Sequence, residues 1–194
     1  MILYLSVTFV VGVLAVFGWK LTARSAYESA EYTELESEGL FELRDYPDLM
    51  MATTRSKVEM QGNDGSFMRL FQYISGANDN EQKVAMTIPV FMEPDTRDDQ
   101  GQMGFVIPKD ISEQGAPDPS DDNVQIQRRI GGRFAVVRFE GRMNRELLAK
   151  EELKLRNWMS DKGLIGDDDA EFAGYDPPWT PASLRRNEIL IRLN

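Results

Sequence analysis

Hydrophobic and polar positions divide the chain into three regimes. Residues 1–19 carry no charged side chain and are dominated by Leu, Val, Ile, Phe and Ala, with Lys20 the first charge. Residues 23–38 are polar and acidic and read as a linker or a first short element. From residue 39 onward, short periodic segments alternate with turn clusters. Residues 41–44 run apolar, charged, apolar, charged, the period of a half-buried strand. Tyr46-Pro47 turns the chain into a second strand over 49–58. Gly62 to Gly65 form a turn cluster, and Ser66 opens a helix in which Phe67, Leu70, Phe71 and Ile74 fall at i, i+3, i+4 and i+7. Gly76 stops it, and strands follow over 84–92 and 103–107, separated by a charged loop.

The second half repeats this order. Residues 124–129 form a strand, Gly131-Gly132 a turn, and 134–139 the next strand. Asn144 caps a longer helix with Leu147, Leu148, Leu155, Trp158 and Met159 on one face, and Gly163 ends it. Strands over 171–175 and 188–193 complete the chain. The pattern predicts an α+β fold: a distorted antiparallel β-barrel of two pseudo-symmetric ββαββ halves with two main helices. The prediction adds an N-terminal transmembrane helix, because a helix over 1–19 would be about 28 Å long, roughly the hydrocarbon thickness of a bilayer. Tyr4 and Trp19 lie near its two ends, where amphipathic rings prefer to sit.

A cleaved signal peptide is the competing reading of this segment, but no basic region precedes the apolar run. Lys20 and Arg24 follow the span and favour a cytoplasmic domain, while Glu28, Glu31 and Glu34 soon after leave the exported side open. The expected organisation is a membrane anchor over 1–22, a linker or first element over 23–38, and one domain over 39–194.

Composition narrows the chemistry. A net charge of −10 argues against nucleic acid, which is bound by clustered Lys and Arg. The chain has neither Cys nor His. Disulfides, thiolate metal sites and Cys nucleophiles are excluded, and so is every Ser-His-Asp, Cys-His or HExxH mechanism. The acidic stretches 118–122 and 167–171 lack the ligand spacing of a calcium loop and read as solvated loops.

Two segments have an unusual grammar: Lys83-Val84-Ala85-Met86-Thr87-Ile88-Pro89-Val90, and Gly174-Tyr175-Asp176-Pro177-Pro178-Trp179-Thr180-Pro181 followed by Leu184-Arg185-Arg186-Asn187-Glu188. They occupy corresponding places in the two halves, and proline within a strand marks an edge or a bend. Together with Arg44-Asp45-Tyr46-Pro47, the 67–78 helix and Val137-Arg138-Phe139-Glu140-Gly141, in that order, they make residues 34–193 resemble the SOUL haem-binding family. The resemblance implies a distorted eight-stranded barrel and binding of haem or a related tetrapyrrole. Some members are thought to use an axial histidine; this chain has none, so the resemblance implies the other kind, an apolar groove beside the first helix.

A porphyrin needs an apolar surface for its faces and cations for its propionates. Phe67, Met68, Phe71 and Tyr73, with Arg69 among them, offer both; the periodicity alone equally makes Phe67 and Phe71 core residues. Tyr73, Tyr175, Met68 and Met86 carry the side-chain types of known axial ligands, although weak or absent ligation of the iron is the expectation. Arg185 and Arg186 are read either as propionate partners or as ion pairs fixing the last strand, and Trp179 either as a packed corner or as a stacking surface. The resulting expectation is a membrane-anchored tetrapyrrole carrier, buffer or sensor rather than an enzyme. Two alternatives stay open: a binder of other flat or cationic amphiphiles, and a protein-interaction module without a small-molecule ligand.

Overall fold

The computed structural model describes residues 24–56, 64–94, 101–177 and 179–194. The expected membrane helix lies outside them, and among the described residues no helix is long and apolar enough to cross a membrane. The described residues form eleven strands: β1 (Glu28–Ser29), β2 (Thr33–Glu38), β3 (Phe41–Tyr46), β4 (Leu49–Arg55), β5 (Thr87–Ile88), β6 (Val90–Glu93), β7 (Gln102–Val106), β8 (Val124–Arg129), β9 (Gly132–Phe139), β10 (Glu171–Gly174) and β11 (Asn187–Arg192). The α-helices are α1 (Ser66–Ile74), α2 (Lys109–Gln114) and α3 (Arg145–Asp161).

Nine strands form one antiparallel sheet in the order β2-β3-β9-β11-β10-β6-β7-β4-β8, and β1 pairs with β5 in parallel. Read inward from both sides, β3-β9-β11-β10 mirrors β8-β4-β7-β6, with the approximate two-fold axis between β10 and β6. The expected repeat is therefore present with an exchange: the first strand of each half pairs with the second strand of the other. The sheet curls into a half-barrel rather than a closed barrel. Its edges, β2 and β8, carry Glu34, Glu36 and Glu38 on one side and Gln125, Gln127 and Arg128 on the other, and charged or polar edges resist further pairing.

The helices cover one face. α1 packs on β4, β7 and β8, and α3 on β9 and β11, its pseudo-symmetric place. Leu70, Tyr73 and Ile74 from α1 and Leu148, Leu155, Trp158 and Met159 from α3 enter one core with Phe105, Val137 and Ile189. Asn144 caps α3 as expected, its side-chain oxygen accepting from the Leu147 N–H at 2.8 Å. The opposite face has its own core of Tyr46, Met51, Phe91, Phe134, Val136 and Leu190, covered by Tyr27, Ala30 and Tyr32 of the N-terminal segment.

Four expectations change. The 23–38 stretch, read as a linker or a first short element, holds two strands, β1 and β2, because β2 is held by backbone pairing to β3 and exposes all six of its side chains, leaving no burial period to read. The strand over 84–92 breaks at Pro89, which has no N–H to give the ladder, into β5 and β6. α2 lies where no periodic signal pointed, since none of its residues is buried. In α1, Tyr73 is a core residue and Phe71 is exposed, the reverse of the helical stripe.

The β3–β4 and β8–β9 connections meet at Gly131. A Cβ there would lie 2.3 Å from the Tyr46 carbonyl oxygen and 2.6 Å from the Pro47 carbonyl carbon. Because backbone cannot move aside as a side-chain tip can, Gly131→Ala is expected to cost about 1–3 kcal/mol by overpacking, read as a lowered urea midpoint with unchanged m.

Candidate functional site

α1 begins where Gly65 takes φ +85° and Ser66 donates its N–H to the Asp64 carboxylate at 3.0 Å. From there the helix presents Met68 (54% exposed) and Phe71 (44%) to solvent. Phe67 is half-buried beneath them, its ring parallel to Phe71 at 6.3 Å and edge-on to Phe105 at 5.3 Å. Arg69 rims this surface, donating from Nε to Thr54 Oγ1 at 3.1 Å and from Nη2 to the Arg55 carbonyl at 2.9 Å. The result is an apolar platform bordered by a fixed guanidinium.

The other predicted site residues do not join it. Tyr73 is buried and donates its phenol to the Pro117 carbonyl at 3.0 Å; burial, then Asp118 and Asp79, push its pKa up to about 12. Met86 is half-buried against the helix-side core. Tyr175 is buried on the opposite face. Trp179 (71% exposed) and Arg185 belong to the connection between β10 and β11, where Arg185 Nε donates to the Thr180 carbonyl at 2.8 Å. That connection is tied to Gly141 and Arg24, through Gly141 N–H to Ala182 O (3.0 Å) and Arg24 Nη2 to Leu184 O (2.6 Å). Among the described residues, no three His, Cys, Asp or Glu side chains are grouped to hold a metal ion.

The helix-free face holds a second constellation. Strand alternation puts Glu42, Arg44 and Tyr46 of β3 on this face beside Arg138 of β9 and Glu188 of β11. Arg44 reaches diagonally across β9, donating from Nη1 and Nη2 to Glu188 at 2.7 and 3.0 Å. It also donates from Nε to Glu42 at 2.6 Å and from Nη1 to the Tyr46 hydroxyl at 2.8 Å. Glu188 further accepts from the Tyr175 hydroxyl (2.8 Å) and from Arg186 Nε (2.9 Å), while Arg138 pairs with Glu42. The Tyr32 ring closes over Arg44 at 4.2 Å.

Burial by itself would lower the Arg44 pKa, but the hydrogen bonds and charge of Glu188 outweigh it and raise the net value. Burial likewise pushes Glu188 upward, and Arg44 and Arg186 overcome it, holding the carboxyl below its ordinary value of 4.5. Burial raises Tyr46 to about 12 and Tyr175 well above the phenol range. All three side-chain nitrogens of Arg44 donate internally, so the arrangement is a structural lock.

The sequence reading missed this lock. The alternation over 41–44 was visible, but burial is greater on its charged side: Glu42 and Arg44 are buried, Phe41 and Leu43 half-buried. The usable signal was three alternating polar-capable residues, Glu42, Arg44 and Tyr46, with Arg186 and Glu188 in a second strand.

The model of the SOUL heme-binding protein family matches residues 27–192. The chain belongs to this family. It is 28% identical to heme-binding protein 1 of Bos taurus over 63% of this chain and 66% of that one. It is 26% identical to heme-binding protein 1 of Mus musculus over 93% of each chain. With heme-binding protein 2 of Homo sapiens the identity is 28% over 80% of each. Among solved structures, the EcmrR C-terminal domain superposes with a TM-score of 0.59 at 15% identity, covering 84% of this chain and 98% of that one. A hydrolase from Listeria innocua gives 0.57 at 11% identity, covering 82% and 94%. These two likenesses are of fold.

The stretches that carry the SOUL resemblance are largely fastenings. Tyr175, Arg186 and Glu188 build the lock, Asn187 donates to the Gly141 carbonyl at 2.9 Å, and Thr87 donates to the Val106 carbonyl at 2.6 Å.

Removing one partner of a buried pair leaves the other charge uncompensated, so Glu188→Gln is expected to cost about 3–5 kcal/mol near neutral pH. The depressed Glu188 pKa contributes stability that is present above 4.5 and lost as pH falls through the lower folded value. Urea midpoints measured downward from pH 7 should therefore show an acid loss in the native chain that is reduced in the variant.

Proposed function

We propose that this SOUL-family chain binds haem or a related tetrapyrrole on the outer surface of α1, without a histidine ligand. The observation that carries the reading is the exposure of Met68 and Phe71 over a half-buried Phe67, in a helix whose periodicity would otherwise have placed Phe71 in the core. Contact with a flat apolar ligand would remove this surface from water, at roughly 25 cal/mol per Å². Arg69 stands where a propionate can accept from it, and its ties to Thr54 and Arg55 fix its place.

Iron ligation contributes little in this reading. The chain has no histidine, and the Tyr73 and Tyr175 phenols are buried and engaged. Met68 is the exposed thioether among the candidates, and Met86 is half-buried. Trp179 and Arg185 are assigned to the β10–β11 connection rather than to the ligand. The protein acts as a carrier or buffer rather than an enzyme, tethered to a membrane through residues 1–19.

Haemin titrated into the full chain in detergent, followed at the Soret band, is expected to saturate near one equivalent and to be competed by iron-free protoporphyrin. The double variant Met68→Ser/Phe71→Ser should weaken haemin about tenfold, the equivalent of ~1.4 kcal/mol of apolar contact, with an unchanged melting temperature. Unchanged affinity in that variant would remove α1 from the reading. Retention of the chain in the membrane pellet after alkaline carbonate washing tests the tether; release into the supernatant would refute it.

A further inference from the structure

The pseudo-two-fold axis gives the Arg44–Glu188 lock a twin, and the registers identify its members. Arg44 lies opposite Phe134 as Gln127 lies opposite Met51. Glu188 lies opposite Arg138 as Gln102 lies opposite Arg55. Leu190 lies opposite Val136 as Gly104 lies opposite Thr53. The contact is also conserved between the twins: where Arg44 donates to Glu188, Gln127 Nε2 donates to Gln102 Oε1 at 2.8 Å.

The twin is smaller and neutral at its centre. Replacing Arg, Glu and Leu by Gln, Gln and Gly leaves space, and a cavity of about 520 Å³ opens there. It lies on the helix-free face, across the sheet from α1. Met51, Phe91 and Gly104 supply apolar floor, and Arg129 and Arg192 stand at one side. Its size falls within the range of small-molecule sites.

Arg129 identifies the ligand chemistry. Its side chain is 6% exposed, and Nη1 has no hydrogen-bond partner. Nε donates to Glu171 Oε2 at 2.8 Å, while Nη2 lies 2.7 Å from the same oxygen without hydrogen-bond geometry. The rings of Phe134, Phe91 and Tyr46 stand 4.5, 4.7 and 5.2 Å from its Cζ. They attract the cation but offer no lone pair to the orphaned N–H groups. A buried donor left unsatisfied is costly, and because Arg129 lines the cavity, an acceptor there that reaches its guanidinium would relieve it. The carboxylates lining the cavity are already engaged, Glu171 by Arg129 and Glu93 by Gln102 Nε2 at 2.6 Å. The unmet demand is therefore for an acceptor, and with Arg128, Arg129 and Arg192 lining the cavity against Glu93 and Glu171, an anionic one is favoured.

We propose that this cavity binds a small apolar carboxylate, its anionic end held by Arg129 and its body on Met51 and Phe91. The site is separate from the α1 surface and does not depend on haem binding there.

The test uses the full chain in detergent with fluorescent 2-naphthoate and its neutral isostere 2-naphthamide. Naphthoate is expected to saturate at one equivalent and to bind at least about tenfold more tightly than the amide, because only the anion completes the buried guanidinium. Gln127→Glu adds a like charge to the cavity and is expected to weaken naphthoate by about tenfold. Gly104→Ala moves Met51 into the cavity, since a Cβ at this position would lie 2.4 Å from the Met51 methyl, and should weaken both probes. Neither variant should change the haemin titration. Equal binding of naphthoate and amide, unchanged naphthoate affinity in Gln127→Glu, or loss of naphthoate binding in Met68→Ser/Phe71→Ser would each overturn the proposal. Failure of haemin to bind would leave it standing.

Discussion

The bidentate contact between Arg44 and Glu188 sets the terms for the helix-free face of this protein. It joins β3 to β11 over the top of β9, fastening the strand that the first half lends to the second. Desolvating two charges is expensive, and an ion pair repays the cost only when the remaining donors and acceptors are also met. Here they are: Glu42 and Tyr46 complete the arginine, and Tyr175 and Arg186 complete the glutamate. The closing element is the N-terminal segment. Its Tyr32 ring covers Arg44, and its anchorage runs through β1–β5 pairing and the Arg24–Asp176 salt bridge at 2.9 Å.

Seen this way, the two halves share a backbone plan and differ in what fills it. Around β9 and β11 the inner face is closed by a charged network and a tyrosine cap; around β4 and β7 the corresponding positions hold two glutamines and a glycine. Only Gly could sit at position 104 with Met51 folded over it, just as only a long cation could span β9 to reach Glu188. The helix-bearing face repeats more faithfully, because both helices do the same work of covering sheet. The two proposed sites accordingly separate by face: α1 offers a surface, and the far side of the same strands offers a cavity.

The strand and helix order was legible because period-2 and period-3.6 signals accompany burial on one side of an element. Residues 124–129 became β8 with both ends as read, and Asn144 and Gly163 bound α3 as their capping chemistry required. What escaped the reading was whatever burial did not mark. β2 exposes every side chain and is fixed by its neighbour's backbone, and the exchange of first strands between halves leaves no local trace. The lock was hidden for a deeper reason: polarity is a poor guide to burial when charges neutralise one another across strands far apart in sequence, as Arg44 and Glu188 do. The same reasoning explains the divided fate of the predicted site residues. Met68 and Phe71 reached the surface because Leu70, Tyr73 and Ile74 already satisfy the core beneath α1, whereas Tyr175 was drawn inward by its phenol's bond to Glu188.

A tetrapyrrole site without histidine must obtain its affinity from area and from propionate contacts, and this constrains where it can lie. The helix-free face around the lock is already filled by its own ion pairs and covered by Tyr32. The enclosure around Arg129 offers one orphaned guanidinium group and a modest volume, suited to a single carboxylate on a small body rather than to a macrocycle with two propionates. The α1 surface is open, apolar and rimmed by Arg69, so a porphyrin can lie across it with its edge in water. Binding that uses the ring's faces and edge is indifferent to the metal at its centre. On the proposed α1 reading, the chain would handle iron-loaded and iron-free porphyrins alike, holding the ring without fixing the coordination of its iron.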